Sequence, residues 1–180
     1  LVNVRPEFRA LPEPIELVKE LKPYYISSSM STITEKSDAP IRLNGQAYNY
    51  GLRGDMTMAL IGTYDGKAYF NLHKQFSKLS FLIGCHDDVK GGAGSGWLTV
   101  KADNKIIEEI EIKEGDIAKQ VVLDITGCEM LSFHTEQIEG ESYAEIAQIM
   151  IYRTASRNSS HQCNIIFFLN SCNNTSNKFR

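Results

Sequence analysis

Between residues 24 and 153 apolar side chains recur at every second position in short runs, broken by turn residues at roughly 10-residue intervals. A period of two places alternate side chains on opposite faces of an extended strand, whereas a helix needs apolar residues three and four apart. Leu98, Val100 and Ala102 alternate with Trp97, Thr99 and Lys101. Phe81 and Ile83 alternate with Ser80 and Leu82 in a run that is apolar on both faces, as a central strand would be. Ile106, Ile110 and Ile112 share one parity after Asp103-Asn104, a pair suited to the positive φ angles of a tight hairpin. Val121, Leu123 and Ile125 follow, then Leu131 and Phe133, then Ala147, Ile149 and Ile151. Short strands with no long helical pattern between them predict an all-β fold, an antiparallel sandwich or barrel rather than a βαβ unit.

The flanks read differently. Four of the five prolines (Pro6, Pro12, Pro14, Pro23) fall in residues 1–23, around one helical pattern over residues 13–22 carried by Ile15, Leu17, Val18 and Leu21. This predicts a lead-in whose short helix packs on the domain or on a partner, followed by a sandwich over 24–153. Residues 154–180 form a polar, Asn- and Ser-rich tail, expected to be poorly ordered or docked only through its apolar patch at 164–169. The chain begins at Leu1 without an initiator Met or an apolar leader, which fits either a removed targeting segment or a piece of a longer protein.

Composition excludes several classes of partner. With 19 basic and 22 acidic side chains, net charge −3, no overall field favours nucleic acid. The longest apolar run, residues 165–169, is far below the ~20 residues that cross a bilayer as a helix. Four cysteines without a CxxC pair do not suggest zinc; Cys85 and Cys128 end apolar stretches, where small buried side chains are expected, while Cys163 and Cys172 could close a small loop if oxidised. Four scattered histidines, with no HExxH or GxSxG spacing, leave no catalytic constellation.

The serial order of several motifs is more specific than any one of them. Residues 41–52 carry Gly45, Tyr48 and the pair Gly51-Leu52; residues 70–79 carry Phe70, Leu72, Phe76, Ser77 and Leu79. Gly84 precedes Asp87-Asp88, a strand ends at the Asp103 turn, and Leu123-Asp124-Ile125-Thr126-Gly127 leads to Leu131. In this order the chain resembles the NPCBM family, galactose-binding-like β-sandwiches carried by secreted bacterial glycosidases and surface proteins. The resemblance implies a jelly-roll sandwich with a short N-terminal helix, an extracellular or cell-surface location, and glycan or polysaccharide binding without catalysis on behalf of a parent enzyme or surface protein. Three departures stand out: Arg53-Gly54-Asp55-Met56 replaces the family's Gly-x-x-His-Ala, Asn104 stands where glycine is commoner, and Ala144-Glu145-Ile146 lacks the family's Trp.

Sugar recognition pairs an aromatic face with polar groups that hold hydroxyls. Trp97, the only tryptophan, lies opposite the Leu98/Val100 face and is either a stacking platform or an indole covered by a loop or the helix. Tyr48 and Tyr50 are further aromatic candidates, with Tyr64 and Tyr69 behind them, and Asp87 and Asp88 are candidate hydroxyl ligands. The same two carboxylates, beside the glycines of 91–96, are also the weak candidates for calcium, although adjacent carboxylates point in different directions. Arg53-Gly54-Asp55 reads as a loop variant rather than an adhesion tripeptide. The alternative to sugar binding is a protein-interaction or structural module of a surface or phage-like assembly, using the N-terminal helix; the lost His-Ala and Trp positions favour it.

Overall fold

A computed structural model describes residues 13–56, 65–88, 94–140 and 142–154. The tail from 155, with Cys163, Cys172 and its apolar patch, and Tyr64 lie outside the described residues. In chain order the elements are β1 (Ile15–Glu16), α1 (Leu17–Glu20), β2 (Tyr25–Ile26), β3 (Met30–Ile33), β4 (Ile41–Leu43), β5 (Gln46–Tyr48), β6 (Gly51–Met56), β7 (Asp65–Asn71), β8 (Phe76–Cys85), β9 (Ser95–Ala102), β10 (Lys105–Lys113), β11 (Lys119–Asp124), β12 (Met130–Glu139) and β13 (Ser142–Arg153).

Two antiparallel sheets carry the strand orders β11-β8-β13-β6-β3 and β10-β9-β12-β7-β2, with β1 added to β13 of the first. From β6 onward the chain changes sheet at every connection except the β9–β10 hairpin, which makes the fold a jelly-roll sandwich. That hairpin turns through Asp103 (φ 50°) and Asn104 (φ 66°), as their residue types predict. Between the sheets Phe133 packs edge-on against Phe70 from its own sheet at 6.3 Å and Phe81 from the opposite sheet at 5.8 Å.

Alternation held where strands are regular and failed at β-bulges. Leu98 and Val100 are buried while Trp97 is 40 % exposed. A register shift between Ile106 and Glu108 inserts one residue, so Ile107 packs on the core and Ile106 turns out to solvent. A second shift between Ala147 and Met150 breaks the supposed common face of Ala147, Ile149 and Ile151: the two isoleucines enter the core and Ala147 faces the opposite side. The helical pattern of 13–22 is realised only as the single turn Leu17–Glu20, capped by Glu16, whose carboxylate accepts the Lys19 N–H at 2.8 Å. Leu17 and Val18 join the main core, so the apolar residues of this helix are covered by the chain itself rather than left for a partner.

The short β4–β5 hairpin forms a sheet of its own. Its Ile41 and Leu43 lie on the outer side of the larger sheet with Ile33, Leu82 and Ala147 as a second small core. This cover explains why β8 is apolar on both faces.

At Thr135 the two sheets come unusually close. A Cβ built on Gly54 of β6 or on Gly66 of β7 would strike the Thr135 side chain, and the fully buried Thr135 Oγ1 has no hydrogen-bond partner among the described residues. Thr135→Val, which keeps the shape and removes a polar atom, is expected to stabilise the fold by about 1 kcal/mol in urea denaturation. Destabilisation would show that the hydroxyl is satisfied.

Candidate functional site

Glu145 lies near the start of β13 between Ala144 and Ile146, which face the main core, and points to the other side, beneath the β4–β5 hairpin. Its neighbour across β6 is Arg53. The pairing places the guanidinium on the carboxylate: Arg53 Nε and Nη2 reach Glu145 Oε1 at 2.7 and 2.6 Å, while Oε2 accepts the Arg42 backbone N–H at 2.9 Å. Arg53 also donates to the Pro40 carbonyl at 3.0 Å, tying the pair to the chain entering the hairpin. The Glu145 side chain is wholly buried. Burial pushes its carboxyl up to about 7, against the pull of the Arg42 N–H and of Arg53.

The segment following β8 closes over this pair. His86 Nδ1 accepts the Asp88 N–H at 3.0 Å, which leaves the ring proton of the neutral imidazole on Nε2, 3.7 Å from Glu145 Oε1. Burial, and then Arg53, lower the His86 pKa, so the ring is neutral at pH 7. Asp87 receives the Asn44 and Gly45 N–H groups on its two oxygens at 3.0 and 2.7 Å, clamping the β4–β5 turn. Asp88 stands outside, 68 % exposed, 3.7 Å from the Arg42 guanidinium.

The result is a layered polar site on one end of the sandwich. A buried Arg53–Glu145 pair forms the floor, His86 the wall, and the exposed Arg42–Asp88 pair the rim. Such a site donates and accepts hydrogen bonds within one small area, as a vicinal pair of hydroxyls requires. It holds no nucleophile paired with a base. Among the described residues no group of three or more His, Cys, Asp and Glu side chains is arranged to hold a metal ion, and calcium at Asp87 would have to displace two N–H donors. No helix among them is long and apolar enough to cross a membrane.

Of the candidates read from sequence, only Asp87 and Asp88 belong to this site. Tyr48 packs against the small core, its hydroxyl donating to Gln46 Oε1 at 3.0 Å. Tyr50 lines a separate groove of about 540 Å³ beside α1, with Lys19 Nζ 5.5 Å from its ring centroid and Thr32 and Glu35 as neighbours. Trp97 lies on the outer face of the other sheet, opposite Glu111 and Glu136. Tyr69 lies on that sheet too, between Tyr25 at 5.7 Å and His134 at 5.4 Å. Arg53-Gly54-Asp55 is part of strand β6, not a loop, and its guanidinium is committed to Glu145. Cys128 is a buried thiol pushed up to about 11 by desolvation, as inert as its surroundings suggest.

Sequence reasoning missed Arg42, Arg53, His86 and Glu145. A visible signal existed for one of them: a glutamate flanked by Ala144 and by Ile146-Ala147 in a largely apolar stretch demands a buried partner.

A family model described as the NPCBM/NEW2 domain matches residues 19–150. No curated protein sequence matches the chain. Among solved structures, the M60 catalytic domain with the CBM51-1 and CBM51-2 domains from Clostridium perfringens ZmpB superposes with a TM-score of 0.65 at 14 % identity, over 81 % of this chain and 16 % of that one. CBM51-2 in complex with GlcNAc and INT domains from the same protein gives 0.63 at 11 %, over 79 % and 32 %. The CBM51 from Clostridium perfringens GH95 in complex with methyl-galactose gives 0.61 at 12 %, over 77 % and 99 %. The chain thus spans only a minor part of the first two proteins and nearly all of the isolated module.

Proposed function

Since the chain belongs to the NPCBM/NEW2 domain family, we propose that it is a non-catalytic carbohydrate-binding module that holds a glycan beside the enzyme or surface protein carrying it. The observation that supports the end of the sandwich as the binding site is the exposed Arg42–Asp88 pair set against His86 and the buried Arg53–Glu145 floor. Arg42 supplies donors, Asp88 acceptors, and the floor keeps the rim in place through the Arg42 backbone. An extracellular or cell-surface setting follows from that role and fits the first of the similar structures, in which such modules accompany a catalytic domain. The saccharides in the similar structures, methyl-galactose and GlcNAc, are the natural first probes.

Arg42→Ala and Asp88→Ala are each expected to weaken saccharide binding about tenfold, the worth of one charge-assisted hydrogen bond. Calorimetry against both sugars and a glycan array is the measurement; Trp97 emission would be a poor reporter, because the indole faces away on the other sheet. A wild-type protein that binds nothing on the array and is not retained on insoluble polysaccharide overturns the function. Variants that bind like wild type move the site elsewhere.

A further inference from the structure

Beyond the β4–β5 hairpin the outer face of the larger sheet is open, and there β13 departs from a regular strand. The register shift between Ala147 and Met150 centres on Gln148, an exposed residue at φ 49°, in the left-handed region that glycine or asparagine normally fills. A glutamine there costs conformational energy, and its side chain makes no hydrogen bond among the described residues that would repay it. The bulge instead aims Gln148 into a groove of about 480 Å³ shared with β8 and β11.

The groove combines fixed amide groups with an apolar strip. Gln120 reaches over from β11 with Nε2 fixed on the Phe81 carbonyl at 3.0 Å, leaving Oε1 as an acceptor. Val122, 60 % exposed, and Met150 form an apolar strip beside the Tyr152 ring. Lys78 is the one charged residue in the lining, and its Nζ sits 3.7 Å from the Tyr152 ring centroid. No carboxylate lines the groove, so it offers nothing to a basic peptide, and its single cation is directed to the ring. Two carboxamides beside an apolar strip match the hydroxyls and the C–H face of a neutral sugar, and the volume suits one or two sugar units.

We propose that this groove is a second saccharide site, taking a neutral oligosaccharide, separated from the Arg42–Asp88 site by the β4–β5 hairpin. It rests on the saccharide-binding reading above and extends it: a single module would engage one long or branched glycan at two places, and the second contact would act at high effective concentration.

The test compares wild type, Gln148→Gly, Gln120→Ala and Arg42→Ala by calorimetry against methyl-galactose and a panel of soluble neutral polysaccharides, with thermal melts and size-exclusion of each. Gln148→Gly relieves the left-handed strain, so its melting temperature should rise while its affinity for a bound polysaccharide falls about fivefold. Gln120→Ala should show a similar loss of affinity, and both should bind methyl-galactose like wild type if that sugar occupies the end site. Polysaccharide affinities unchanged in both variants, with Arg42→Ala impaired, overturn the second site and leave the module reading standing. Wild type that binds no saccharide overturns both. A wild-type dimer that Gln148→Gly dissociates would make this face a contact between copies and also overturns the proposal.

Discussion

Glu145→Leu is expected to lower stability by about 3–5 kcal/mol, because it leaves the Arg53 guanidinium largely buried with no carboxylate, and an arginine cannot shed its charge. Arg53→Met should cost less, about 1–2 kcal/mol, although it breaks the same pair. The difference lies in what remains: Glu145 can neutralise itself by binding a proton, and burial already brings its carboxyl to about 7 in the presence of Arg53. Urea denaturation of both variants at pH 7 checks the order, and equal costs would mean that Arg53 finds water when Glu145 is lost. The pH dependence follows with a definite sign. In the fold the Glu145 carboxyl keeps its proton up to about pH 7, against an ordinary value of 4.5 in the unfolded chain. The folded state therefore binds more protons between those values, and stability falls as pH rises through that window. The full span corresponds to about 3 kcal/mol at most. Glu145→Gln should lack this slope; a wild-type profile parallel to that of the glutamine variant would show that Arg53 holds the carboxylate ionised throughout.

Gly51→Ala is expected to cost about 3 kcal/mol, the upper end of what overpacking does. Gly51 opens β6 where the covering hairpin lies on the sheet: a methyl group there would fall on the Ile146 carbonyl oxygen of the neighbouring β13 and on Ile41 Cδ1 of that hairpin. The carbonyl is fixed in a central strand, so relief requires moving the backbone or lifting the hairpin, and the hairpin carries the Arg42 rim. Gly115→Ala provides the comparison. That glycine has φ +83° with nothing within 4 Å of an added Cβ, so its cost should be about 1 kcal/mol, from the left-handed backbone alone. Chemical denaturation of the two variants decides the matter: similar costs would mean that the layers around Gly51 yield easily.

These two sites also show what the amino-acid order reveals and what it hides. Gly51-Leu52 was legible as a motif and β9 as a strand, because a regular strand preserves its parity from end to end. Parity fails wherever a bulge adds one residue, and the bulges here carry no glycine to announce them: Gln148, a poor left-handed residue, sits in one. Asp87 and Asp88 were legible as loop carboxylates, yet their partners were not. Arg53 and Glu145 are 92 residues apart and meet only because β6 and β13 pair in register. Trp97 drew attention for its chemistry, and parity placed it opposite the buried Leu98 and Val100, but parity alone does not say which surface an aromatic ring shares with polar groups.

The strand order has a last consequence, for crowding. One border of each sheet ends in a very short strand, β3 with four residues and β2 with two, too little to template pairing with another chain. The opposite border of the smaller sheet is the nine-residue β10, which is interrupted by its bulge and bears Lys105, Glu108, Glu109, Glu111 and Lys113. Charge and kinking there discourage a neighbour from adding a strand. Copies of this module strung closely along one polypeptide, or packed densely on a surface, would not join through these three borders.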